Sequence, residues 1–172
     1  MDSNYKIEAL AILLDRECLS ERYYSLIEYK ETLLSGLRDR GVETKNEAEA
    51  LPDEAFVQMG MEDEEQIRLL RRFFTIYDAN PRKFREIDRV TDDPEARKVF
   101  RELYFLPGVK YIRANLYDLS GYRTLRDIAA STPEEILART KRTIEEMKLA
   151  CIVPLPREVR THIAVARAFC LK

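Results

Sequence analysis

The stretch that decides the fold spans residues 105–122 and reads FLPGVKYIRANLYDLSGY. An apolar Pro-Gly turn stands near its start, and a helical pattern that stops at Gly121 follows the turn. Before the turn, Asp93-Pro94 is a typical helix start, since proline there occupies a position whose missing N–H costs nothing. The stretch therefore predicts a helix, a tight turn and a second helix.

Apolar residues recur at helical spacing on both sides of this turn. Val109, Ile112 and Leu116 follow one another at intervals of three and four residues, as on one face of a helix. We expect the apolar residues of the hairpin and of the flanking helices to share one core. Its predicted members are Leu103, Val109, Ile112, Leu116, Ile128 and Ile136.

Over about residues 94–139, this order of helix, Pro-Gly turn and helix resembles the helix-hairpin-helix superfamily. The resemblance implies a module that grips a nucleic-acid backbone through hairpin amides, or one that serves only for packing or protein contact. The hairpin of that superfamily usually reads apolar-Gly-apolar-Gly, and Lys110 replaces the second glycine here.

A Pro-Gly turn that leads into a helix predicts an anion site. The first amides of the helix are unpaired and lie at the positive end of its dipole. Gly108 lets a phosphate approach the backbone without a Cβ in the way. The predicted nucleic-acid-binding residues are Gly108, Val109, Lys110, Arg113, Arg123 and Arg126. The open alternative is that the turn only locks two helices together and that its cations are solvated.

Residues 20–78 carry a second, weaker resemblance. The segments LRDRGV at 37–42, LPDEAFVQMGM at 51–61 and IRLL at 67–70 look like the sterile-alpha-motif type of five-helix bundle. This resemblance implies a protein-interaction module, of a kind that polymerises in some members and binds RNA in a minority.

One pattern occurs twice, at an offset of 80 residues, from Leu37 to Glu47 and from Tyr117 to Asp127. In each copy a glycine ends one helix, a threonine follows after three residues, and an acid follows after three more. The pattern predicts two related helical modules, at residues 1–79 and 80–172. Chance similarity among helix caps is the alternative.

Composition favours an all-α helical bundle. Of the 172 residues, 35% are charged and only 5 are glycine, and almost no run alternates apolar and polar residues as a strand does. The net charge of −2 conceals an asymmetry, because residues 1–100 carry a net −7 and residues 101–172 a net +5. A basic segment suits a phosphate ligand, or an acidic surface of this or a neighbouring molecule.

Capping patterns place the other helices. The predicted starts are Ser3, Ser20, Thr44, Pro52, Asp63, Asn80-Pro81, Asp93-Pro94, Thr124, Pro133 and Thr143. The Asp63 helix carries an apolar face that extends to Tyr77, and an extended apolar connector follows at residues 151–156.

We expect no catalysis, no cofactor and no metal site. The sequence has no Gly-rich phosphate loop, serine elbow or metal-ligand spacing. Cys18, Cys151 and Cys170 are isolated and are interpreted as reduced core thiols, and His162 as a half-buried packing residue. No long apolar run and no basic leader is present, so we expect a cytoplasmic protein without a membrane span.

Two functions follow from these patterns. The first is weak binding of a nucleic-acid backbone such as DNA, without sequence specificity. The second is a protein-interaction or scaffold role, including self-association, with a purely structural hairpin.

Overall fold

The computed structural model describes residues 5–76 and 81–170 of the chain. Eleven α-helices and one 3-10 helix form these residues, which include no β-strand, so the predicted all-α class is confirmed. The chain divides into two compact units, an N-terminal unit within residues 2–78 and a C-terminal unit within residues 79–172.

The N-terminal unit contains five α-helices and the 3-10 helix. The elements are α1 (Ile7–Glu17), the 3-10 helix (Tyr24–Tyr29), α2 (Lys30–Asp39), α3 (Lys45–Glu49), α4 (Asp53–Gln58) and α5 (Glu64–Ile76). Within the unit, α1 packs against α2, the 3-10 helix contacts α1, α2 and α5, and α3 contacts α5. Its core is built around Leu13, Leu37 and three fully buried phenylalanine rings.

Two of the predicted helix starts in this unit can be compared directly. The Asp63 cap is confirmed, because its Oδ1 accepts a hydrogen bond of 2.8 Å from the Glu65 amide. The Ser20 start is wrong: the Ser20 hydroxyl donates to the carbonyl of Glu17, and the next helical turn begins only at Tyr24. The predictions at Ser3, Tyr77 and Asn80 lie outside the described residues.

The C-terminal unit holds the other six helices. The elements are α6 (Pro81–Val90), α7 (Pro94–Leu103), α8 (Tyr111–Leu119), α9 (Leu125–Ala130), α10 (Pro133–Met147) and α11 (Pro156–Cys170). Within the unit, α9 packs against α11, α8 contacts α7 and α10, α10 contacts α11, and α6 contacts α7. Among the described residues, no helix is both long enough and apolar enough to cross a membrane.

The predicted helix start at Thr143 is wrong. Helix α10 begins at a capping box on Thr132 and runs without interruption through Thr143. The Thr143 hydroxyl donates to the Arg139 carbonyl one turn earlier and accepts a hydrogen bond of 2.9 Å from Ser120. A threonine in a helix interior donates to a carbonyl one turn earlier, whereas a capping threonine accepts from an amide three residues on, and the residue pattern alone does not separate the two.

Burial of the predicted hairpin core is confirmed for five of its six members. These five are fully buried, namely Leu103, Val109, Leu116, Ile128 and Ile136. The prediction for Ile112 is wrong, since 63% of that residue is exposed. Ile112 lies in the first turn of α8, and helical spacing assigns a face without indicating how far neighbouring elements cover it.

The pattern that occurs twice has the same local geometry in both units. Gly41 and Gly121 have positive φ angles of 68° and 88°, and each ends a helix. The following threonines, Thr44 and Thr124, both form capping boxes with an acid three residues on. After the box the units differ, because α4 has 6 residues and α10 has 15. A common origin of the two units stays a prediction.

Candidate functional site at the helix hairpin

The hairpin between α7 and α8 is a tight turn whose apolar residues face inward. Leu106 and Val109 are fully buried, and Gly108 is exposed with a φ of +72° that a side chain rarely allows. The amide of Val109 donates to the Leu106 carbonyl at 3.2 Å. That amide closes the turn, so it is already paired before any ligand approaches.

Two buried hydrogen bonds of His162 hold the turn in place, and we call them the relay. His162 Nε2 lies 2.9 Å from the Pro107 carbonyl oxygen, and its Nδ1 lies 2.7 Å from the hydroxyl of Tyr117. A carbonyl only accepts, so Nε2 carries the proton that it donates to Pro107. In the neutral ring Nδ1 then accepts from Tyr117, whose pKa is raised chiefly by burial.

The prediction of a half-buried packing histidine is wrong for His162. The residue is 1% exposed and is hydrogen-bonded on both ring nitrogens. The partners of His162 stand 45 and 55 residues away in the chain, so no local pattern points to the relay.

Arg113 is held by the start of α11. Its Nε and Nη2 donate to the two carboxylate oxygens of Glu158 at 2.7 and 3.2 Å, and its Nη1 donates to the carbonyl of Ile152 at 3.2 Å. Only 15% of the Arg113 side chain is exposed. A bidentate pair of this kind satisfies the fork of the guanidinium, so Arg113 is engaged before any phosphate arrives.

A cavity of about 430 Å³ opens beside the turn. Gly108, Lys110 and Arg113 line it, and so do Glu86 and Glu158. Glu158 is paired with Arg113, so Glu86 is the acid whose charge opposes the approach of a phosphate. The structure thus brings three of the predicted site residues together, with two acids that sequence spacing did not place there.

The remaining two predicted cations lie around α9 and do not line this cavity. Arg123 forms an ion pair of 3.0 Å with Asp118. Arg126 is exposed, and neither it nor Lys110 has an ion-pair partner among the described residues. Lys110 and Arg126 are therefore the predicted site cations that the fold leaves available.

Three exposed apolar residues adjoin the Arg113–Glu158 pair, in sequence or through a backbone hydrogen bond, and we call them the hairpin patch. They are Ile112, Ile152 and Leu155, which are 63%, 77% and 65% exposed. Ile112 precedes Arg113 in α8, the Ile152 carbonyl accepts from Arg113, and the Leu155 amide donates to Glu158 at 3.4 Å. One partly buried ion pair thus connects the two separate segments that carry the patch.

Comparison with family models, with curated proteins and with solved structures finds no match to this chain. Within residues 5–76 and 81–170, no group of three or more His, Cys, Asp and Glu side chains is arranged to hold a metal ion.

Proposed function

We propose that the C-terminal unit is a non-catalytic protein-interaction module that binds its partner through the hairpin patch. The observation that carries the proposal is the exposure of Ile112, Ile152 and Leu155 around one internally satisfied ion pair. Exposed apolar side chains that cluster on a surface mark sites of protein contact. Full burial of one such side chain contributes about 1.5–3 kcal/mol, so three of them form a useful binding centre.

The frame beneath the patch supports the same conclusion. Arg113 connects α8 to the connector and to α11 through three hydrogen bonds, and His162 ties the turn to α8 and α11. A surface held in one conformation loses little entropy when a partner binds. The patch is therefore already ordered before a partner binds to it.

A photo-crosslinking residue tests the proposal directly. In the native cells, p-benzoylphenylalanine at Ile152 is expected to yield a discrete adduct that protease removes and nuclease does not. The same residue at Met147 is the matched control, because Met147 is also exposed and apolar but lies outside the patch. Equal adducts at both positions, or none at Ile152, contradict the proposal.

The nucleic-acid alternative has its own observations, namely the available cations Lys110 and Arg126 and the free amides at the start of α8. Anisotropy of a labelled DNA duplex at low salt tests it against the variant Lys110→Glu/Arg126→Glu. Under the protein-interaction proposal we expect no binding to the duplex. Binding with a log-log salt slope of about −2 to −4, abolished in that variant, makes nucleic acid the ligand instead.

A further inference from the structure

The N-terminal unit carries an exposed apolar surface of its own. Leu19, Tyr24 and Ile27 are 62%, 68% and 39% exposed. The Cys18 thiol donates to the Tyr23 carbonyl at 3.2 Å and closes a turn between the two residues. Leu19 and Tyr24 adjoin these two residues in the chain.

Its rim is acidic. Glu21 and Glu28 are exposed and have no ion-pair partner among the described residues. We call the surface formed by Leu19, Glu21, Tyr24, Ile27 and Glu28 the acidic face.

The two units have opposite charge. Residues 2–78 hold 10 Lys+Arg and 18 Asp+Glu, a net −8, and residues 79–172 hold 19 and 13, a net +6. The rim of the hairpin patch is basic on balance, because Lys110 and Arg157 are exposed, have no ion-pair partner in the described part of the chain, and outnumber the one unpaired acid beside the patch there, Glu86. Each apolar surface is thus bordered by charges that attract the other.

We propose that the partner of the hairpin patch is a second copy of this chain, which docks through its acidic face. The inference rests on the proposed function and names the partner. Because the two surfaces differ, the contact is heterologous, and each bound copy presents both surfaces again to the next. The product is a head-to-tail assembly.

The small size of both surfaces sets the strength of the contact. Three apolar side chains on each side form an interface at the lower end of the known range, which is typical of weak and reversible association. The charged rims make the association sensitive to salt, since exposed charges are screened over about 10 Å at 0.1 M ionic strength. We expect assembly at high micromolar concentration and a loss of roughly tenfold in affinity between 0.05 and 0.5 M salt.

Sedimentation velocity of the full chain provides the test, with one substitution that introduces a charge on each surface. Leu155→Glu blocks the hairpin patch and Tyr24→Lys blocks the acidic face, and both sites are exposed enough for folding to persist. Each variant alone is expected to remain monomeric. A mixture of the two is expected to form a 1:1 dimer, because one intact surface of each kind remains. Met147→Glu is the matched control and assembles like the wild type.

Two outcomes overturn the inference. One is a monomeric wild type at every concentration and salt, and the other is wild-type assembly by Tyr24→Lys. The crosslinked adduct at Ile152 separates this inference from the proposed function. An adduct with twice the mass of the chain supports self-docking, whereas a discrete adduct with a different protein retains the proposed function and overturns self-docking.

Discussion

At the scale of single residues, the hairpin is secured by polar atoms that are buried and paired. His162 links the carbonyl of Pro107 to the hydroxyl of Tyr117, and both rings are buried. A buried hydrogen bond contributes modestly when it is made and costs more when one partner is removed. Removing one partner of the relay is therefore expected to cost more stability than the hydrogen bond contributes when it is made.

We predict that Tyr117→Phe destabilises the C-terminal unit by about 1–3 kcal/mol, because His162 Nδ1 loses its buried donor. Urea unfolding followed by circular dichroism measures the loss. Tyr122→Phe is the matched control, since the Tyr122 hydroxyl is buried and its ring packs against Tyr117 without taking part in the relay. Equal losses in the two variants would show that the relay contributes nothing specific.

A second residue-scale prediction concerns Lys148, which ends α10 with a φ of 51° and a ψ of 46°. A residue with a Cβ costs roughly 1–2 kcal/mol in this left-handed conformation, and glycine avoids that cost. Glycine also has more conformational entropy in the unfolded chain, which offsets part of the stabilisation. We expect Lys148→Gly to raise the free energy of unfolding by about 0.5–1 kcal/mol. Lys148→Ala keeps a Cβ and is expected to gain nothing, and a gain in Lys148→Ala equal to that in Lys148→Gly would exclude backbone strain as the cause.

At the scale of helices, α2 packs closely at Gly36 against Met59, the residue that caps the end of α4. A Cβ added there would lie 2.5 Å from Met59 Cγ and 3.2 Å from Met59 Cβ. Alanine at this position gains about 1 kcal/mol of helix propensity, but overpacking of a filled contact costs about 1–3 kcal/mol. The packing cost exceeds the propensity gain because Met59 is 6% exposed and has little room to move.

Gly36→Ala is therefore expected to lower the free energy of unfolding of the N-terminal unit by about 1 kcal/mol. Thermal and urea unfolding measure the change. The neighbouring Ser35→Ala, at an exposed position of the same helix, is expected to be neutral or slightly stabilising. If Gly36→Ala stabilises the unit as much as Ser35→Ala does, then the contact with Met59 carries no cost.

What the sequence predicts about the helices depends on how local the cause is. The boxes at Thr44 and Thr124 involve partners three residues apart, so their patterns identify them correctly. The ion pair of Arg113 with Glu158 spans 45 residues, and no spacing rule indicates it. The exposure of Ile112 has the same origin, because tertiary packing decides which turns of an apolar face are covered.

At the scale of the whole molecule, each unit has a buried lysine or leucine directly after its repeated cap, at positions 45 and 125. Lys45 is fully buried, pairs with Glu49 at 3.1 Å, and donates its amide to the Tyr5 carbonyl at 2.7 Å. In the C-terminal unit the amide of Leu125 donates to the carboxylate of Glu102 at 2.8 Å. The same cap is thus anchored by a main-chain carbonyl in one unit and by a side chain in the other.

Tyr5, which provides that carbonyl, makes the N-terminal unit sensitive to alkali. Burial raises the pKa of Tyr5 to about 12, above the value near 10 of an unfolded tyrosine. Between these two pH values the folded state keeps a proton that the unfolded state releases. Stability from this group is therefore intact below about pH 10 and is lost as the pH rises towards 12.

We predict that the stability difference between the wild type and Tyr5→Phe shifts in favour of the variant by about 1 kcal/mol from pH 8 to pH 11. Urea unfolding at the two pH values measures it, and the lysines cancel because they titrate in both proteins. Tyr24→Phe is the control, since it removes the same hydroxyl from a residue that is 68% exposed. An equal shift in both variants would contradict the assignment, because only a buried phenol holds its proton more tightly in the folded state than in the unfolded state.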